Sequence, residues 1–255
     1  MRSKFYYLPV ILFISLFLGP STLPAQEAED STKEESKPYS FNFGADVVSR
    51  YVWRGIELGE SMPQVQPYGS FDLSLNSAGS LSLGVWGSYG FTGNYAENDF
   101  YLKYSYETSA GTFSATATDY YYPYIDTLKL SDFKNNGEGA HTMEASFLYN
   151  GPESFPISFT LSSNIYNDLP ENKSLYVEVG YPVKFNGTSL NFFAGAAQGP
   201  SVWHCVTSDK FEIINLGFNV SKDIKITQDF NLPVGLSFVM NPHVKNTYIV
   251  FKVSL

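Results

Sequence analysis

The sequence predicts an all-β fold, an antiparallel up-and-down transmembrane β-barrel of about twelve strands. Three observations carry this reading. From Phe41 onward apolar residues recur with period two and never with a helical period over a useful length. The alternating runs are about ten residues long, whereas soluble strands average ~5–6 residues and tilted membrane strands need ~9–11. Short connections alternate with longer ones, the latter near 54–63, 92–98, 123–140, 167–173, 199–210 and 241–246, as in outer-membrane barrels.

Composition agrees with that class and excludes others. Of 255 residues, 44% are hydrophobic, 17% aromatic and only 16% charged, against roughly 25% charged in an average soluble domain. A single apolar run, near the N-terminus, approaches the length of a membrane helix, so a polytopic helical membrane protein is excluded. Sixteen Lys and Arg against 25 Asp and Glu argue against nucleic acid as a partner. One cysteine, Cys205, excludes a disulfide framework and a multi-cysteine metal site.

In chain order, Arg2 and Lys4 precede the apolar run Phe5 to Leu18, which Gly19-Pro20 breaks before the small-residue exit Leu23-Pro24-Ala25. This is the pattern of a secretory signal peptide over 1–25. Residues 26–40 hold five acids and two lysines with almost no apolar residue, and read as an acidic flexible tether in the periplasm. The barrel is expected over 41–255.

Twelve strands are expected near 41–53, 64–76, 80–92, 99–108, 112–122, 141–150, 156–166, 174–185, 189–198, 211–221, 231–241 and 247–255. The stretch 223–231 leaves ten or fourteen strands open. Within the runs one face is apolar: Leu81, Leu83, Val85, Tyr89 and Phe91 oppose Ser82, Gly84, Trp86, Ser88 and Gly90. Phe100, Leu102, Tyr104 and Tyr106 likewise oppose Lys103 and Glu107, while Leu232, Val234, Leu236, Phe238 and Met240 repeat the pattern. An even strand number puts both termini on the short-turn side. The final segment TYIVFKVSL alternates to Leu255, which suits a terminal strand recognised by the outer-membrane assembly machinery.

Beyond the leader there are only two arginines, Arg50 and Arg54, four residues apart. On one strand both would share a side with Asp46, while Val47, Tyr51 and Trp53 face the other way. Arginine facing lipid at mid-depth costs ~2–4 kcal/mol, so both are expected inward, paired with acids such as Asp72, Glu107 or Glu144, or forming a cationic constriction. The other pore-lining candidates are Gln64, Gln66, Lys103, Glu178 and Lys184, with Glu212 and Lys252 completing the lumen's charges. The named charges nearly balance, which fits a narrow channel for small polar solutes.

This opening segment, SRYVWRGI followed by SMPQVQPYGSFDLSL, resembles the TorF-like porins, a bacterial outer-membrane family. The likeness rests on Ser49, Tyr51, Trp53, Arg54, Gly55, Pro63 and Gln66, over about thirty residues. It implies an outer-membrane barrel with a pore and supplies no catalytic residues; the loop ELGES departs from the family pattern, so no solute preference carries over.

Little in the sequence points to chemistry. His141, His204 and His243 fall in separate segments without the close spacing that presents two ligands to a metal. A barrel hydrolase would need a histidine beside a nucleophilic hydroxyl, and Ser201 and Ser208 are the hydroxyls nearest His204 in sequence. Cys205 reads as an inert thiol in a long loop. YYYPY (120–124) reads as part of the interfacial aromatic girdle, and loop 125–140 as the segment that folds inward to constrict the pore. The expectation is a porin-like channel in the cell outer membrane, with the lipid bilayer and small solutes as partners, no cofactor, no metal and no catalysis. A structural or adhesive barrel with a plugged lumen is the first alternative, and a soluble secreted β-sandwich the second.

Overall fold

A computed structural model describes residues 38–123, 129–169 and 174–255. The segment read as a signal peptide, 1–25, and most of the one read as a tether, 26–40, lie outside the described residues. Twelve strands close a barrel: β1 (Tyr39–Val48), β4 (Gln64–Ser74), β5 (Gly79–Gly90), β6 (Ala96–Thr108), β7 (Gly111–Tyr121), β8 (His141–Asn150), β9 (Ser158–Tyr166), β10 (Leu175–Phe185), β11 (Thr188–Gln198), β12 (Phe211–Lys225), β13 (Asn231–Asn241) and β14 (Asn246–Ser254). Two short strands, β2 (Tyr51–Trp53) and β3 (Ile56–Leu58), form a separate two-stranded sheet.

Every neighbouring pair is antiparallel, and β1 closes on β14 with Asp46 opposite Ser254 and Val48 opposite Lys252. Backbone bonds between Ala45 and Leu255 in both directions extend the seam by one residue. Closure leaves no unpaired sheet edge, which in lipid is a requirement. The start of β1 and the end of β14 lie on the short-turn side.

Alternation explains the two faces. Phe43, Leu83, Phe100, Leu102, Ile165, Tyr181, Phe185, Phe192, Ile249 and Phe251 stand exposed on the outside. Gln64, Gln66, Ser88, Glu97, Glu144, Ser162 and Asn215 are buried within. Near the short-turn end the outer face carries aromatic contacts, Phe41 on Phe71 at 5.1 Å and Phe113 on Tyr149 at 5.0 Å between ring centroids. Such an exterior is stable against hydrocarbon and costly against water.

Four expectations need correction. The first strand ends at Val48 and not at 53, because the chain leaves the wall there and turns into the lumen. β12 runs on to Lys225, and the turn falls at 226–230, where the Ile226 and Thr227 amides donate to the Phe230 carbonyl; the uncertain stretch 223–231 therefore adds no strand. The connection after β13 spans only 242–245, a short turn among the longer loops. Of the loop expected to fold inward, the described part, 129–140, packs on the outer face of the rim instead. There Phe133 stacks on His141 at 4.0 Å, and the His141 ring nitrogens meet Asp119 at 2.9 Å and the Leu130 carbonyl at 2.9 Å. His141 alternates with the inward Thr142 and Glu144, so it points away from the lumen.

Candidate functional site

What enters the lumen is the first loop, 49–63. Its centre, YVWRGIEL, is a β-hairpin pairing Tyr51 with Leu58, Val52 with Glu57 and Trp53 with Ile56. Arg54 and Gly55 form the two-residue turn at φ +48° and +78°, and positive φ at both central positions is the primed turn that matches strand twist. Gly55 meets a second demand, since a Cβ there would collide with the Ile214 carbonyl oxygen. Ile214 is the extra residue of a bulge in β12, between the pairs Gly195–Asn215 and Ala196–Ile213, and it is fully buried. The bulge thus pushes the wall inward to meet the hairpin tip.

The hairpin is apolar on both sides because walls surround it. Val52 packs on Phe193, Val239 and Tyr248 from β11, β13 and β14. On the other side Tyr51 lies 5.3 Å from Trp86 of β5 and Trp53 lies 6.2 Å from Tyr120 of β7. Gln64 of β4 donates to the Leu58 carbonyl at 2.9 Å, and Asn241 of β13 donates to the Gly55 carbonyl at 3.2 Å. With contacts to β4, β5, β7, β8 and β10 to β14, the hairpin packs across the lumen. Tyr51 and Trp53 were expected to face lipid; they face the barrel interior from a hairpin that is not part of the wall.

Arg54 fastens the tip. Its guanidinium meets Glu144 of β8 in a bidentate pair, Nη1 to Oε2 at 2.6 Å and Nη2 to Oε1 at 2.8 Å. Side-chain exposure is 12% for Arg54 and 3% for Glu144, so water screens the pair little. The guanidinium carbon lies 4.5 Å from the Trp53 ring centroid and 4.4 Å from that of Tyr176, adding cation–π attraction in a desolvated setting. Ser146 and Tyr120 donate to Glu144 Oε1 at 2.9 and 3.2 Å.

His204, from the loop between β11 and β12, completes this cluster. Its ring stacks on Trp53 at 5.5 Å and on Tyr176 at 5.7 Å. Nε2 faces Arg54 Nη1 at 3.4 Å; the arginine can only donate, so Nε2 is the unprotonated nitrogen. Nδ1–H then donates to Ser201 Oγ at 3.2 Å, Ser201 to Ser174 Oγ at 3.0 Å, and Ser174 to Asp168 Oδ1 at 3.0 Å. Burial first, and the Arg54 charge second, hold His204 down to about 3 from its ordinary 6.5. Ser201 does meet His204, as a hydrolase would require, but the serine is 2% exposed and its imidazole is turned toward a guanidinium. Ser208 donates to Glu212 at 2.8 Å instead. The chain of hydrogen bonds ties two outer loops to the hairpin tip.

Below the hairpin a cavity of about 450 Å³ opens against β11–β14 and β1. Amides and hydroxyls such as Asn191, Asn219, Ser221 and Ser237 line it. Arg50, which pairs with Glu57 at 3.1 Å within the hairpin, and Lys252, which pairs with Asp46 at 3.2 Å, border the same space with Glu178 and Gln66. Of the expected luminal residues, Arg54 and Glu144 meet directly. Gln64 and Gln66 are both linked to Ser88. Asp72 accepts from Asn42 at 2.6 Å and from Ser70 at 2.8 Å, toward the short-turn end. Lys103, Glu107 and Lys184 lie outside the hairpin cluster. Arg50 and Arg54 reach the lumen from the hairpin and not from β1. The sequence sets Ser201 beside His204 only as the pair a hydrolase would need, while Ser174, Asp168 and Tyr176 have no sequence signal of their own, since they join the cluster only through the folded structure. The hairpin left one trace, an Arg-Gly pair between Y-x-W and I-x-L, weaker than the usual Asn-Gly turn.

A closed twelve-stranded antiparallel barrel with an apolar exterior and a polar interior is the architecture of outer-membrane barrel proteins, here with a hairpin folded into the lumen. The chain belongs to the family described as bacterial protein of unknown function (Gcw_chp), whose model matches residues 32–244. No curated protein matches the sequence.

Proposed function

We propose that the protein resides in the outer membrane as a channel for small polar solutes or ions, closed at rest by the luminal hairpin. The polar cavity beneath the hairpin carries this reading. Eight-stranded barrels fill their interior with their own side chains and 16–18-stranded ones enclose water; this twelve-stranded barrel retains space, and amides and hydroxyls line it. The apolar exterior, the leader-like residues 1–25 and the likeness of the segment around Arg54 to the TorF-like porins support the same reading. The alternating C-terminal strand suits recognition by the outer-membrane assembly machinery. No step of the proposal calls on catalysis.

A permanently plugged barrel, working through its outer loops, is the second reading, and the buried Arg54–Glu144 pair favours it. Purified protein reconstituted in planar bilayers distinguishes them. Wild type is expected to give small, brief conductance steps, and a variant with residues 50–58 replaced by a Gly-Ser linker should give larger, longer ones. Absence of steps from both, in protein that has refolded into a barrel, overturns the channel.

Location has its own check. Cys205 is exposed in the long loop that also carries His204. A maleimide coupled to a polymer too large to cross the outer membrane should label it on intact cells, slowly, because partial burial raises the thiol. Labelling only after lysis would reverse the orientation or remove the protein from that membrane.

A further inference from the structure

Among the charged groups that border the cavity, Arg50 and Glu178 keep spare hydrogen-bonding capacity, whereas Arg54 is committed to Glu144. At one end Arg50 offers five N–H donors, and the structure gives it one acceptor, Glu57 Oε1 at 3.1 Å; Nε has none among the described residues. Lys252, 44% exposed, borders the same end from β14. Glu178 stands on β10, five strands round the barrel from β1. One of its oxygens accepts from Tyr176 and from Asn215 Nδ2 at 2.8 Å. The other accepts nothing among the described residues, and no cation pairs with this carboxylate there. Uncharged polar groups, among them Asn219 and Ser237, line the stretch between the two ends.

We propose that this cavity binds small zwitterions, free amino acids or dipeptides, with the carboxylate on the spare donors of Arg50 and the ammonium on Glu178. A monoanion would leave Glu178 without a counter-charge and a monocation would leave Arg50 underused, whereas a zwitterion satisfies both ends. Asn219 and Ser237 suit the peptide or amino-acid backbone, and Val52, Phe193 and Val239 give an apolar side chain a surface. The volume of about 450 Å³ falls within the ~300–1,000 Å³ of small-ligand sites. As an assignment of what passes through, this rests on the channel reading; as a binding site it stands without it.

The experiment is equilibrium titration calorimetry on the full chain refolded in detergent micelles. L-alanine and dialanine are compared with propionate, ethylamine and glucose, which carry only the anion, only the cation, or neither. The zwitterions should bind more tightly than all three. Arg50→Gln and Glu178→Gln should each weaken dialanine about tenfold, the loss of one charge-assisted hydrogen bond. Beyond that, Arg50→Gln should bring ethylamine level with dialanine, and Glu178→Gln should do so for propionate; a merely structural role would leave that order unchanged. Equal or tighter binding of propionate, ethylamine or glucose to wild type, or no binding of any probe, overturns the proposal. Because binding is read without transport, that failure is distinct from an absence of conductance in bilayers.

Discussion

Replacing Glu144 with Gln is expected to free the hairpin tip from the β8 wall. The substitution keeps the shape of the side chain and removes its charge, leaving the Arg54 guanidinium without a counter-charge among Trp53, Tyr176 and Tyr120. Removing one partner of a buried ion pair costs about 3–5 kcal/mol, because the other charge stays desolvated. Cation–π attraction from the two rings offsets only part of this, at about 2 kcal/mol in a dry site. The barrel wall should survive, since twelve paired strands hold it independently of the hairpin. Release exposes Arg54, so trypsin should cleave after it in Glu144→Gln far faster than in wild type, as read by mass spectrometry. Under the channel reading the conductance steps should lengthen in parallel. Combining Glu144→Gln with Arg54→Gln removes both charges and should cost the hairpin less than Glu144→Gln alone, with closure read by fluorescence of Trp53 and Trp86. An unchanged cleavage pattern in Glu144→Gln would mean that packing of Tyr51, Val52 and Trp53 holds the hairpin without the ion pair.

Mild acid is expected to act in the same direction through His204. In the closed arrangement its Nε2 faces an arginine that can only donate, so protonation sets donor against donor and charge against charge. The groups around the ring are Arg54, Glu144, Tyr120 and Tyr176, with Asp168 reached through Ser174 and Ser201. Closed, His204 titrates at about 3; released into water it returns toward 6.5. The released state therefore holds more protons than the closed state between those values. Its closed-state contribution is fully present above pH 6.5 and is lost progressively as pH falls toward 3. At pH 5 the linkage favours release by about twenty-fivefold relative to pH 7. Tryptic access to Arg54, or open time in bilayers, should rise from pH 7 to pH 5 in wild type. His204→Gln should flatten that rise, because an amide does not titrate. Equal rises in both proteins would assign the effect to other groups.

The barrel was legible because membrane strands carry their instruction locally. Alternation over 80–92, 99–108 and 141–150 needs no knowledge of neighbours: each second residue stands on the exterior of the closed sheet, and the strand lengths match those of tilted membrane strands. The observed strands Gly79–Gly90, Ala96–Thr108 and His141–Asn150 depart from those ranges only at their ends. Where alternation misled, the cause was a change of surroundings. Val47 to Trp53 continues the period-two pattern beyond the wall, because a hairpin enclosed by a barrel also alternates, with protein on both sides instead of on one. The requirement that arginine avoid lipid put Arg50 and Arg54 on the inward side of a wall strand; the structure carries them on the first loop and its hairpin, bordering the luminal cavity. Glu144 was one of three acids the sequence offered to them.

Order along the chain thus determined the strand pattern, the sidedness of turns and loops, and which residues lipid would not tolerate, since each depends on spacing and on the chemistry of a single side chain. The partners of those residues were decided only by closure. Closing the sheet brings Glu144, Tyr176, Asn241 and Ile214 to one hairpin tip across 90 to 186 residues of sequence in the hydrogen-bonded cases. It also brings Asp168 and His204, from two different loops, into one hydrogen-bonded chain. No local period encodes such meetings: they follow from barrel circumference, from register, and from one extra residue in β12 that turns the wall toward Gly55.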